Sequence, residues 1–223
     1  MSIRCQQGWV DCYKQKQALF IHDNNPKRPH PLLTSGNHSD GFFNSRLIIS
    51  DDDLLRQVAA DLVSLCIASF SIGRIDRVVG PQTGATKLAQ YISYEVGHRR
   101  DQSCPWASPS KKGEGKDKSM VFDDPENTVL RGESVLLCED VLTTGGSIAL
   151  TVKVIEKARG GVLPFILVLV NRSGFVEFDG IRVISLIDQY MPIWTPDECP
   201  LCKQGSVAIR PKDNWEILNA NYD

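Results

Sequence analysis

The chain has 223 residues, of which 42% are apolar and 23% are charged, and these proportions exclude a disordered, collagen-like or membrane-embedded protein. The length suffices for one large domain with a substantial core. Lysine and arginine number 25 against 27 aspartate and glutamate residues, so no basic surplus is available to bind a nucleic-acid backbone.

The first third of the chain is predicted to contain a short helix, a strand and a long helix. The short helix covers residues 11–19 and is followed by a proline-rich loop, so we expect an appendage outside the core. Residues 42–49 have the composition of a strand. Residues 51–53 are aspartates that can cap a helix running to about Phe70, in which apolar side chains recur at helical spacing.

An alternation of strands and helices follows. A strand over residues 77–80 ends in a Gly-Pro turn, and a helix is predicted over 83–96. Residues 105–125 are polar, rich in glycine and lysine, and lack apolar periodicity. They predict a mobile loop.

The last part of the alternation contains the most apolar segments. Residues 134–138 form a continuous apolar run, which is typical of a strand covered on both faces, and a helix is predicted over 147–158. Further strands are predicted over 163–170 and 181–187. Together the elements predict an α/β fold with an open, mainly parallel sheet.

The most informative segment is residues 138–147, Cys-Glu-Asp-Val-Leu-Thr-Thr-Gly-Gly-Ser. A buried strand delivers two acids there, and a loop of small polar residues then leads into a helix. Ligands bind at the carboxyl ends of strands in open α/β sheets, and backbone N–H groups at a helix start bind phosphate. Two carboxylates beside a phosphate cradle predict a sugar phosphate as the ligand.

Residues 135–145 resemble the phosphoribosyl-pyrophosphate motif of type I phosphoribosyltransferases. Four further segments resemble parts of the orotate phosphoribosyltransferases of that family: the base-binding segment at 32–43, the pyrophosphate loop at 80–84, the strand end with a base-binding arginine at 170–174, and the tail of a bacterial subgroup at 199–205. The resemblance covers nearly the whole chain.

The resemblance implies a fold and a set of site residues. We expect a single domain over residues 1–223, with a core at about 50–188 and a small hood from about 11–49 and 189–212. Glu139 and Asp140 are expected to hold the ribose hydroxyls, with Mg2+ bound mainly through the substrate. The residues expected to bind phosphoribosyl pyrophosphate are Gln82, Thr83, Gly84, Thr143, Thr144, Gly145, Gly146 and Ser147. Those expected to bind the base are Phe43, Arg172 and Thr143.

The lysine-rich segment suits the chemistry that the resemblance implies. Displacing diphosphate from the sugar builds negative charge on the leaving group, which nearby cations stabilise. A lid that brings Lys111, Lys112 or Lys116 over the diphosphate also excludes water. With Glu139 and Asp140, these lysines are the predicted catalytic residues.

Two cysteines, one histidine and a pair of phenylalanines lie outside the motif. Cys199 and Cys202 have the spacing of half a zinc site, but no second cysteine or histidine pair accompanies them, so no protein-bound metal is expected. His38 lies in a polar turn and is expected to be a surface or turn residue rather than a proton-transfer group. Phe42 and Phe43 point to opposite faces of a strand, and we expect Phe43 to stack on the base.

The expected protein is a phosphoribosyltransferase of pyrimidine nucleotide biosynthesis that converts orotate to orotidine monophosphate and acts as a homodimer. One alternative is a type I phosphoribosyltransferase for another base, and the other is a non-catalytic regulator that senses phosphoribosyl pyrophosphate. No nucleic acid or membrane partner is expected. The longest apolar run, residues 162–170, is interrupted by Pro164 and predicts a buried strand. The absence of an apolar block at the N-terminus and the odd number of cysteines, seven, favour a cytoplasmic protein.

Overall fold

The structure is a computed structural model that describes residues 3–113 and 117–222. The chain divides into two compact units. Unit 1 contains the described residues of Met1–Trp9 and Ile49–Gln189, and unit 2 those of Val10–Ile48 and Tyr190–Asp223.

The elements are numbered in chain order. The helices are α1 (Gln6–Gln15), α2 (Arg46–Ile49), α3 (Asp52–Ile67), α4 (Thr86–Arg100), α5 (Gly146–Lys157), α6 (Pro200–Lys203) and α7 (Trp215–Leu218), with a 3-10 turn at Ile72–Arg74. The strands are β1 (Leu19–Ile21), β2 (His30–Pro31), β3 (His38–Ser39), β4 (Gly41–Phe43), β5 (Arg77–Val79), β6 (Trp106–Ala107), β7 (Ser110–Lys112), β8 (Ser119–Val121), β9 (Ser134–Leu142), β10 (Gly161–Asn171), β11 (Glu177–Phe178), β12 (Ile181–Asp188), β13 (Ile193–Trp194) and β14 (Ala208–Ile209).

Unit 1 is built on a six-stranded sheet with the order β11-β12-β10-β9-β5-β6. All neighbours are parallel except the edge strand β11, which runs antiparallel to β12. The central strands β9 and β10 are the continuous apolar segments, and side chains such as Leu137 and Ile166 are buried between the layers. The predicted α/β fold with a mainly parallel sheet is confirmed, as is the strand predicted at residues 162–170.

The long helix α3 begins where the aspartates predict. The Asp51 carboxylate accepts a hydrogen bond from the Leu54 backbone N–H at 3.1 Å, which caps the first turn. Helix α4 begins at Thr86, three residues later than predicted, because residues 80–85 form a loop between β5 and the helix. None of the helices in residues 3–113 and 117–222 is long and apolar enough to cross a membrane.

Two predictions for the N-terminal segment are wrong. Helix α1 is no appendage: Trp9 and Tyr13 are fully buried, and the Trp9 indole N–H donates to Asp61 at 3.1 Å. The strand predicted over residues 42–49 ends at Phe43, and Ser45 begins a helical turn whose carbonyl accepts from the Ile48 N–H at 3.1 Å.

The described part of the lysine-rich segment contains regular structure where a loop was predicted. It contains β6 and an antiparallel hairpin of β7 and β8, in which Ser110 pairs with Val121 and Lys112 with Ser119. Lys116 lies outside the described residues.

Unit 2 joins the two ends of the chain through short strand pairs. Strand β1 pairs with β4 within the N-terminal segment. Strand β3 pairs antiparallel with β13, and β2 pairs in parallel with β14, so each of these ladders joins residues far apart in sequence.

Candidate active site

The acid pair lies at the carboxyl end of β9. Glu139 is buried, with 6% of its surface exposed, whereas Asp140 is half-buried. The Asp140 N–H donates to the Glu139 carboxylate at 3.2 Å. Burial, reinforced by the adjacent Asp140 charge, raises the pKa of Glu139 well above its usual value. A cation bound beside the pair would favour the ionised form of Glu139.

The loop between β5 and α4 approaches the acid pair very closely. A Cβ atom added to Gly84 would lie only 2.6 Å from Cγ of Asp140, so a larger residue there would displace the Asp140 carboxyl group. The predicted pyrophosphate loop, Gln82, Thr83 and Gly84, thus lies at the same edge of the sheet as the carboxylates.

The segment after β9 forms a cradle at the start of α5. Gly145 has a φ of +76° and precedes the first helical residue, and a Cβ there would lie 2.5 Å from Cζ of Phe178. Among the described residues no side chain caps this helix, so its first backbone N–H groups remain available to an anion. A cavity at this place is lined by Glu139, Val141, Leu142, Thr143, Thr144, Gly145, Gly146, Ser147 and Ile148.

The β7–β8 hairpin brings one of the three predicted lysines to this cradle. Lys111 Nζ donates to Ser147 Oγ at 2.9 Å, although its side chain is exposed. Lys112 instead pairs with Asp123 at 3.1 Å, with both side chains about half exposed. The structure therefore distinguishes Lys111, at the phosphate cradle, from Lys112, which is engaged elsewhere.

Ser108 holds the pyrophosphate loop in place and was missed by the sequence analysis. Its hydroxyl donates to the Gly80 carbonyl at 2.7 Å, and its carbonyl accepts from Gln82 Nε2 at 3.2 Å. Its hydroxyl also lies 2.6 Å from Thr86 Oγ1 at the start of α4. Its position directly after β6 is the only signal, and that two-residue strand is too short to be found from hydrophobic periodicity.

Arg172 lies beside the cradle. Its backbone N–H donates to the Leu142 carbonyl at 3.0 Å, so it stands next to Thr143 at the edge where β9 and β10 both end. The Arg172 side chain is buried, with 2% of the residue exposed.

The choice of Phe43 as the base-stacking residue is not supported. Phe43 is 2% exposed and packs edge-on against Tyr13 in unit 2, with ring centroids 5.0 Å apart. Phe42 is the partly exposed member of the pair and lies near Trp215. Phe42 and Phe43 do point to opposite faces of β4, but Phe43 is the buried residue and Phe42 the partly exposed one.

A second cluster of chemically active side chains lies within unit 2. His38 is buried rather than at the surface, and its Nδ1 lies 3.1 Å from Nε2 of His30. Cys199 and Cys202 complete a group whose potential ligand atoms all lie within 4.8 Å of one another. The premise that no histidine pair accompanies the two cysteines is therefore wrong.

Comparisons with known proteins agree with the resemblance. No family model matches the chain. The orotate phosphoribosyltransferase of Heliobacterium modesticaldum is 30% identical over 207 residues, which are 92% of this chain and 97% of that protein. The solved orotate phosphoribosyltransferase of Aeropyrum pernix matches with a TM-score of 0.55 and 25% identity, over 80% of this chain and 92% of that one.

The fold is shared more widely. The solved adenine phosphoribosyltransferase of Rhodothermus marinus matches with a TM-score of 0.53 and 19% identity, over 81% of this chain and 98% of that one. Enzymes named for orotate and for adenine share this fold, so the fold does not identify the base. The sequence similarity does identify the group of proteins to which the chain is related. Because that similarity runs along most of both sequences, the chain belongs to the orotate phosphoribosyltransferase family.

Proposed function

We propose that this protein transfers the phosphoribosyl group of phosphoribosyl pyrophosphate to orotate, giving orotidine monophosphate and diphosphate. The observation that carries the proposal is the close approach of Gly84 to Asp140, which joins a pyrophosphate loop to an acid pair at one sheet edge. Membership of the orotate phosphoribosyltransferase family is the reason for proposing orotate as the base.

The acid pair acts on the sugar. As the bond from C1 of the ribose to diphosphate breaks and the bond to the ring nitrogen of orotate forms, positive charge develops on the sugar ring. Glu139 and Asp140 hold the ribose hydroxyls and place negative charge beside that ring. Because Glu139 is largely removed from water, its effect on the transition state is larger than it would be in solution.

The cradle and the hairpin act on the phosphates. The backbone N–H groups at the start of α5, with the hydroxyls of Thr143, Thr144 and Ser147, bind the 5'-phosphate. Gln82, Thr83 and Gly84 bind the diphosphate, and Lys111 places a positive charge beside the cradle. As the diphosphate leaves, cations around it stabilise its growing charge.

The donor set suits a magnesium ion. Glu139 and Asp140 offer carboxylate oxygens, which are the hard ligands that Mg2+ prefers, beside loops that bind phosphate. These residues would hold the ion together with the substrate. When bound, Mg2+ supplies charge neutralisation for the leaving diphosphate.

The base is recognised at the neighbouring strand end. The backbone of Arg172 lies next to Thr143, which supports a role for its guanidinium in pairing with the carboxylate of orotate. A guanidinium makes such bonds in pairs. A pyrimidine without that carboxylate cannot form this pair of charge-assisted bonds, so the site gains less from binding it.

The proposal is tested by turnover with phosphoribosyl pyrophosphate, Mg2+ and a panel of bases comprising orotate, uracil, adenine, guanine and hypoxanthine. We expect diphosphate release with orotate, and a kcat/KM for uracil lower by about 10⁴-fold. Equal use of a second base would favour a type I phosphoribosyltransferase for another base. Binding of phosphoribosyl pyrophosphate without turnover of any base would favour a non-catalytic regulator.

Replacing Lys111 by Ala should lower kcat by about 10²-fold, because we propose that the β7–β8 hairpin brings its charge from Ser147 to the leaving diphosphate when substrate binds. The melting temperature should not change, since the side chain is exposed. Lys118→Ala is the matched control, because this exposed lysine belongs to the same segment. We expect Lys112→Ala to lower kcat less than Lys111→Ala does. Steady-state kinetics of the three variants test whether kcat falls in this order. Full activity of Lys111→Ala would show that this lysine takes no part in the reaction.

The family resemblance also leads us to propose a homodimer. The contact of Lys111 with Ser147 of the same chain supports a lysine that acts on the site of its own subunit. Mixed dimers of Lys111→Ala with Asp140→Asn should then recover no activity beyond that of the separate variants, and a clear recovery would show that the lysine acts on the partner's site. None of the seven cysteines, all of which lie in the described residues, forms a disulfide, and this supports the cytoplasm as the compartment.

A further inference from the structure

The second cluster, formed by His30, His38, Cys199 and Cys202, lies entirely within unit 2. Nε2 of His30 lies 3.4 Å from Sγ of Cys199 and 3.6 Å from Sγ of Cys202. Nδ1 of His38 lies 3.2 Å from Sγ of Cys202 and 3.1 Å from Nε2 of His30. Two nitrogen and two sulfur atoms therefore face a common centre.

These separations match those around a tetrahedral zinc ion. Zinc binds histidine nitrogen at about 2.0–2.1 Å and cysteine sulfur at about 2.3 Å. Tetrahedral angles then place two nitrogens about 3.3 Å apart, and a nitrogen about 3.6 Å from a sulfur. The four measured distances fall within a few tenths of an ångström of those values.

The hydrogen bonds around His30 aim its lone pair at the cluster. Ser206 Oγ donates to the Arg28 carbonyl at 2.6 Å, so its oxygen is left to accept from Nδ1–H of His30, 2.7 Å away. That arrangement leaves Nε2 without a proton. Zinc-bound histidines are oriented by a second hydrogen bond of this kind.

The chain topology gives the cluster a structural purpose. His30 and His38 lie on β2 and β3, whereas Cys199 and Cys202 lie at and within the short helix α6, about 160 positions further along the chain. Strands β2 and β3 are held to the C-terminal segment by ladders only two residues long. A metal ion joining both segments would strengthen a unit with little regular structure.

We propose that His30, His38, Cys199 and Cys202 bind one zinc ion, which holds the N-terminal and C-terminal segments of unit 2 together. Four protein ligands leave no open position for water or substrate, so the ion is structural and takes no part in phosphoribosyl transfer. This site is separate from the acid pair that suits Mg2+, and the two differ in ligand chemistry: nitrogen and sulfur select zinc, and carboxylate oxygen selects magnesium.

The first test needs no variant. Protein purified without chelator is analysed by plasma mass spectrometry, and we expect one zinc per chain. Protein stripped of metal and loaded with Co2+ should display the intense visible absorption of tetrahedral cobalt together with thiolate charge-transfer bands. A chain that contains less than a tenth of an equivalent of zinc, and that gives no tetrahedral cobalt spectrum after loading, would overturn the proposal. So would stoichiometric iron, or a disulfide between Cys199 and Cys202.

Variants then test the ligand set. Cys202→Ser should lose the thiolate bands and most of the zinc, whereas Cys5→Ser, at an exposed cysteine outside the cluster, should retain one equivalent. Ser206→Ala keeps all four ligands and should weaken zinc affinity by about 10- to 100-fold, as loss of an orienting partner does. Unchanged metal content and affinity in both Cys202→Ser and Ser206→Ala would place the ion elsewhere.

The melting temperature tests whether the zinc ion stabilises the fold. Removing zinc with a chelator should lower the melting temperature of the wild-type protein, and adding zinc back should restore it. The same melting temperature with and without one bound equivalent would contradict a structural role.

Discussion

Asp140→Asn should lower kcat by about 10²- to 10³-fold, which corresponds to about 2.7–4 kcal/mol of lost transition-state stabilisation. The substitution keeps the shape of the side chain that packs under Gly84, so the loop stays in place and only the charge is removed. That charge matters more in the transition state, where the sugar ring becomes positive, than in the bound substrate. KM for phosphoribosyl pyrophosphate should therefore change much less than kcat.

The control for this prediction is Asp53→Asn. Asp53 is an exposed aspartate in the first turn of α3, where its charge contributes only a few tenths of a kcal/mol to the stability of the helix, up to about 1 kcal/mol. Its kcat should equal that of the wild type. If Asp140→Asn turned over at the wild-type rate under conditions where chemistry limits kcat, the acid pair would have a structural role only.

The same substitution should shift the pH dependence of the reaction. The pKa of Glu139 is raised by burial and by the Asp140 charge, and only the ionised carboxylate can hold a positive sugar ring. Activity therefore falls as the pH drops through this raised pKa. Removing the Asp140 charge lowers the pKa of Glu139, so the acid limb of kcat/KM should move to lower pH in Asp140→Asn. A limb that stayed in place would show that Glu139 does not control it.

The edge of the sheet that carries the candidate site could be predicted from the sequence. Long apolar runs such as β9 identify central parallel strands, and parallel strands present their carboxyl ends at one edge. Glu139 and Asp140 lie near the carboxyl end of β9, and Gly84 follows the neighbouring parallel strand β5, so their proximity depends only on topology. Gly84 and Asp140 meet there as expected.

Features that depend on distant partners could not be predicted in this way. The burial of Trp9 depends on Asp61, which lies 52 positions away, and the pattern within α1 contains no sign of it. Likewise His38 contacts Cys202 across 164 positions. The strands that bring them together are two residues long, and hydrophobic periodicity cannot be detected over so short a span.

Arg172→Ala should reduce kcat/KM for orotate by roughly 30- to 4,000-fold, the range set by the about 2–5 kcal/mol that truncating one partner of a buried charge pair costs. The arginine stands beside Thr143 at the strand edge and is largely closed to water, so its bond to the orotate carboxylate forms in a low dielectric and is correspondingly strong. Uracil has no carboxylate to lose, and the slow reaction with uracil should change little. The ratio of the two kcat/KM values therefore isolates recognition of the carboxylate from any general loss of activity.

Removing a buried arginine can also destabilise the fold, so the variant needs two checks. Its affinity for phosphoribosyl pyrophosphate, measured by calorimetry, should stay close to that of the wild type, because the phosphate cradle is made by β9 and α5 rather than by this side chain. Arg182→Ala is the matched control, since Arg182 is an exposed arginine on β12, the strand next to β10 in the same sheet. If Arg172→Ala bound phosphoribosyl pyrophosphate normally and still used orotate as well as the wild type, the base carboxylate would have to be recognised elsewhere. Phosphoribosyl transfer would nevertheless stand, because it depends on the acid pair and the cradle and not on this arginine.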